Sequence, residues 1–110
     1  MKTIVRFEFD NQLFHKNYCG PYAIILENPP HIPQTGDPVD FNIADFFNDE
    51  KVLERYQRLI QSDLLYAHRI QTKYSIDVVE IMIVLYQESS FRAIFPQLFE
   101  VPHQFNIDLL

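Results

Sequence analysis

At 110 residues, with 47% hydrophobic and 22% charged side chains, the chain is long enough for one hydrophobic core, too short for two, and too apolar for intrinsic disorder. A formal net charge of −6 disfavours general attraction to nucleic acid or to an anionic membrane surface. The one cysteine, Cys19, cannot close an internal disulfide, so no oxidising compartment is implied.

The first eight residues, Met1 to Glu8, contain no uninterrupted apolar run and no small-residue cleavage site. A secretory signal is therefore not expected, and the expected location is the cytoplasm. No stretch is apolar for long enough to suggest a membrane-spanning helix. Residues 3–9 then alternate, with Val5, Phe7 and Phe9 on one side and Ile4, Arg6 and Glu8 on the other. That period of two predicts a half-buried strand with a wet back. Asp10-Asn11-Gln12 reads as a turn, residues 13–18 as a short edge strand, and Cys19-Gly20-Pro21 as a break. The apolar run at 22–26 predicts a second buried strand. Pro29, Pro30 and Pro33 force an extended connection without amide donors at those positions. After a turn at 35–38, Val39, Phe41 and Ile43 alternate with Asp40 and Asn42, which predicts a third strand with an acidic wet face.

Asn48 or Asp49 can cap a helix, because a short polar side chain accepts from the free amides of the first turn. Val52, Leu53, Tyr56, Leu59 and Ile60 follow helical spacing, and Glu54 and Arg58 form an i,i+4 pair, so a helix is expected at about 49–62. Residues 63–74 fit both periods. A strand is preferred there, because a helix of about 26 residues would be long for so small a chain. The next segment also needs a partner. That segment, 74–86, is the most β-branched of the chain, apolar on both faces and interrupted only by Glu80. Such a run belongs at the centre of a sheet, covered from both sides. Phe91, Ile94, Phe95, Leu98 and Phe99 return to helical spacing, which Pro96 must disturb. The end, 105–110, alternates weakly, as an edge strand would. The fold expected for residues 1–110 is one α+β domain. Its curved, mainly antiparallel sheet has about five strands, or forms a small partly open barrel, and its main helix lies near 49–62.

Few residues point to chemistry. His15 and Cys19 are four apart, but no second Cys or His pair completes a tetrahedral metal site, and Gly20-Pro21 explain the surroundings as a turn. Two glycines cannot build a phosphate-cradling loop, and no Gly-flanked serine or calcium-loop spacing occurs. No cofactor and no metal are expected. His68 shares a strand face with Tyr66, and Glu80 interrupts the central strand, so the three together form a candidate pocket. The simpler reading is a core histidine satisfied by hydrogen bonds, with Glu80 paired to Arg69 or Lys73.

Two surfaces remain. Residues 37–54 carry six acids against Lys51, making Asp40, Asp45, Asp49 and Glu50 a candidate contact for a basic partner, although acids also suit a helix start. Phe91, Phe95 and Phe99 either close the core or form a candidate apolar contact across a subunit boundary. The function expected is a non-enzymatic interaction module or accessory subunit that self-associates, most simply as a two-fold homodimer. The alternatives are an acidic inhibitor or regulator of a nucleic-acid-binding protein and a small enzyme built on His68 and its tyrosine neighbours. Neither direct nucleic-acid binding nor membrane binding is expected.

Overall fold

A computed structural model of the chain describes residues 1–10, 23–62 and 64–99, the side chains of Ser62 and Phe99 excepted. The strands expected at 13–18 and 105–110 and the His15/Cys19 pair lie outside the described residues. The strands are β1 (Lys2–Phe9), β2 (Ala23–Glu27), β3 (Pro38–Val39), β4 (Leu65–Tyr74) and β5 (Val78–Gln87). The helices are α1 (Glu50–Ser62) and α2 (Glu88–Ile94), with short 3₁₀ turns at Ile43–Asp45 and Pro96–Phe99. The strands form one curled sheet, half a barrel, in the order β2-β1-β5-β4-β3. The pairing is mixed: β1 and β5 run parallel and the other neighbours antiparallel.

β5 lies at the centre of the sheet, where its two apolar faces require it. One face is the main core. Val5, Phe7 and Phe9 lie in register with Ile81, Ile83 and Leu85, and Leu65 and Ala67 extend that buried row on β4. β1 thus uses the side predicted by its alternation, with Arg6 left on the wet side. α1 closes this face with Val52 and Tyr56, both buried. It starts where the acids predict: the Asp49 carboxylate accepts from the Lys51 amide at 2.8 Å, and its carbonyl from the Leu53 amide at 3.0 Å. Arg58 pairs with Glu54 as expected.

Segment 63–74, where the two periods conflicted, is a strand from Leu65 onward, with a bulge between Arg69 and Gln71. The central run is shorter than expected at its start. Residues 75–77 form the hairpin turn, in which the Ser75 amide donates to the Val78 carbonyl at 2.8 Å. The third strand was over-extended. β3 ends at Val39, because the Phe41 amide turns away from the sheet and donates to Tyr56 Oη at 2.8 Å. The alternation of Val39, Phe41 and Ile43 serves burial from a loop: Phe41 packs edge-on against Phe7, with centroids 5.1 Å apart. The segment expected to be helix-like at 91–99 begins earlier, at Glu88, and breaks before Pro96, whose ring cannot follow a helical turn. No helix among the described residues is long and apolar enough to cross a membrane.

Candidate functional site

The second face of the sheet is divided. At the β4 start and β5 end, α2 covers it. Phe91, fully buried, stacks on Tyr66 at 5.3 Å, and Phe95 packs on Phe91 at 4.9 Å. His68 stands under this lid, its ring 4.7 Å from Phe95 in a T-shaped contact and 6.1 Å from Tyr86. The sequence suggested a hydrogen-bonded core histidine. The ring is instead held by aromatic contacts, and its buried Nδ1 has no hydrogen-bond partner among the described residues. The Tyr66 hydroxyl donates to Glu88 Oε1 over 3.3 Å, and Arg92 reaches the same oxygen at 3.1 Å.

Glu80 does not join them. His68 lies opposite Val84 and Lys73 opposite Glu80, which puts Glu80 and His68 about 13 Å apart along the strands. The candidate pocket of Tyr66, His68 and Glu80 is therefore two separate places. Glu80 lines a shallow cleft of about 300 Å³ on the half of this face that no described helix covers, with Ile4, Arg6, Met82 and Lys73. Lys73 faces Glu80 in register, but no ion pair joins them among the described residues. Arg69 is also engaged elsewhere, donating to the Pro33 carbonyl at 2.7 Å and the Ile32 carbonyl at 3.2 Å. It pins the proline-rich connection to β4.

Asp40, Asp45, Asp49 and Glu50 are exposed, and three of them have local work. Asp40 accepts from the Tyr56 hydroxyl at 2.9 Å, Asp45 from the Asn42 side-chain amide at 3.1 Å, and Asp49 from α1. Burial, foremost, pushes the Tyr56 hydroxyl well above the usual phenol range; the Asp40 carboxylate adds to the rise and the Phe41 amide opposes it. Of the proposed apolar contact, Phe91 is spent inside its own chain and Phe95 is half-buried, while the Phe99 side chain lies outside the described residues. The apolar groups this segment leaves in water are Ile94 and Leu98. Among the described residues, no group of three or more His, Cys, Asp or Glu side chains is placed to hold a metal ion.

The surface that the sequence reading missed is the far half of β4. β3 covers β4 only at Leu65 and Tyr66. Beyond it, Gly36 and Asp37 bond to Ala67, and Thr35 Oγ1 accepts from the Arg69 amide at 3.0 Å. From Ile70 to Tyr74 the outer edge has no partner among the described residues. Hydrogen bonding alternates along an antiparallel pair. The bonds at Leu64–Glu88 and Ser75–Val78, taken with the pairing register across the bulge, turn Gln71 and Lys73 toward β5. Thr72 and Tyr74 therefore present N–H and C=O outward. Beside this edge Tyr74 is 77% exposed, Ile76 at the turn 92% and Ile70 46%. A scan against protein-family models finds no match to the chain, and searches of curated proteins and of solved structures find no similar chain.

Proposed function

We propose that the protein is a non-enzymatic interaction module that self-associates, presenting the β4–β5 hairpin as its contact. The observation that carries this reading is the coincidence of a strand edge that has no partner among the described residues with exposed Ile70, Tyr74 and Ile76. An uncovered edge is a template for another strand, because its main-chain groups already hold the pairing geometry. Large apolar side chains beside it gain by leaving water, each by about 1.5–3 kcal/mol when fully buried.

The acidic-regulator reading has less support, since Asp40, Asp45 and Asp49 already accept local hydrogen bonds. The enzyme reading loses its carboxylate, because Glu80 on β5 lies opposite Lys73, about 13 Å along the strands from His68 on β4. Light scattering over a concentration series tests the proposal. The expected result is a mass rising from 13.1 kDa toward twice that value. A mass of 13.1 kDa at every accessible concentration would overturn it.

A further inference from the structure

We infer that the occupant of the open β4 edge is the same edge of a second copy, paired antiparallel about a two-fold axis at Thr72. This rests on the self-association reading and adds the interface and its register. A two-fold contact places a surface against itself, so an edge that meets its own copy must be self-complementary.

Main-chain geometry leaves few choices. In an antiparallel pair, outward-facing residues must oppose outward-facing ones. With Thr72 and Tyr74 outward, the axis can fall at Gln71, Thr72, Lys73 or Tyr74. An axis at Gln71 sets Lys73 against Arg69, two like charges, where the Arg69 amide is already taken by Thr35. An axis at Lys73 sets that ammonium against its own copy in the closely spaced, non-hydrogen-bonded position, where like charges destabilise. An axis at Tyr74 sets Thr72 against Ile76, which lies in the hairpin turn and outside both strands. The axis at Thr72 has none of these faults. Thr72 opposes Thr72, a favourable cross-strand pair, Lys73 opposes the neutral amide of Gln71, and Tyr74 opposes Ile70, an aromatic against a β-branched side chain. Both apolar residues exposed on β4 beyond β3 are thereby matched to each other. The bulge before Gln71 and the Thr35 hydroxyl on the Arg69 amide end the pairing on one side, and the hairpin turn ends it on the other. The result is a short self-limiting ladder that makes a dimer and leaves no free segment of β4 for a third copy.

Thr72→Pro is a selective test, because the lost amide faces outward and the bonds to β5 remain; proline is tolerated at such edge positions. Two cysteine variants built on Cys19→Ser read the register directly. In the proposed dimer, the Cα atoms at position 72 lie about 5.5 Å apart across the axis, within reach of a disulfide. Those at 73 are more than about 7 Å apart, beyond that reach. The expected results are a Thr72→Pro variant with unchanged circular dichroism whose mass falls to 13.1 kDa, and an oxidised dimer from Thr72→Cys but not from Lys73→Cys. A folded Thr72→Pro variant that stays dimeric overturns this inference and leaves self-association standing. So does cross-linking at 73 in place of 72, or at neither. A monomeric unmodified protein overturns both. Should Thr72→Pro fail to fold, the cysteine pair decides.

Discussion

Replacing Tyr56 with Phe removes a single oxygen that holds the loop after β3 to α1. That hydroxyl accepts from the Phe41 amide at 2.8 Å and donates to Asp40 at 2.9 Å. Asp40 is exposed and regains water, so the cost falls on the half-buried Phe41 amide, left without an acceptor. A stranded buried donor costs about 1–3 kcal/mol. With a urea dependence of about 1–3 kcal/mol per molar for small proteins, the unfolding midpoint should drop by about 1 M. The pH dependence gives a second reading. The folded hydroxyl titrates above its ordinary value of 10.0. Above that pH the unfolded chain releases this proton while the native one keeps it. The native state then binds more protons, and stability falls as pH rises. In the unmodified protein the contribution is whole below about pH 10 and is lost above it, by up to about 1.4 kcal/mol per pH unit. Tyr56→Phe lacks this group, so the stability gap between the two proteins should be constant up to about pH 10 and narrow beyond it. Urea titrations at neutral pH and at two alkaline values measure both effects. An unchanged midpoint at neutral pH, or a gap that widens in alkali, would refute the assignment.

Phe91→Ala should cost about 3–5 kcal/mol, since the ring is fully buried against Tyr66 and Phe95; denaturant titration measures it, and a loss below about 1 kcal/mol would mean that α2 does not close the second face. Gly36 holds φ at +99°, and an added Cβ would meet only Leu98 Cδ1 at an ordinary 3.7 Å. Gly36→Ala should therefore cost about 1–3 kcal/mol of backbone strain alone, with a crystal structure showing Leu98 unmoved. Changing Asp40, Asp45 and Asp49 to Asn and Glu50 to Gln should leave the unfolding midpoint nearly unchanged, because exposed charges contribute little and Asn can still cap α1. Self-association measured by light scattering should also persist; its loss would move the interface to the acidic segment.

Much of the architecture was legible because burial writes a period into the chain. β1 and α1 fell where alternation and helical spacing put them, and β5 announced its central place by being apolar on both faces. β4 was found by an argument about partners, since its own pattern served either period. The errors have a common physical source. Val39, Phe41 and Ile43 alternate as a strand would, yet a tyrosine seventeen positions after Val39 takes the amide that would have continued the pairing. Apolar spacing reports burial and is silent on where hydrogen bonds go. For Phe91 and Phe95 the spacing left core closure and a partner contact equally open. The second face of the sheet gave them room, beside Tyr66 and His68. The β4 edge left without a partner among the described residues was not legible at all, because it depends on how few residues β3 contributes. Ile76 in a turn and Tyr74 beside it were the only signs.

Amide hydrogen exchange at Thr72 tests the central claim most directly. Its N–H points away from β5, so in a lone chain it exchanges freely, while Gln71 and Lys73, bonded to β5, are protected at any concentration. Thr72 protection should rise with protein concentration in step with the mass measured by light scattering. A Thr72 amide that exchanges freely in samples that are fully dimeric would contradict it.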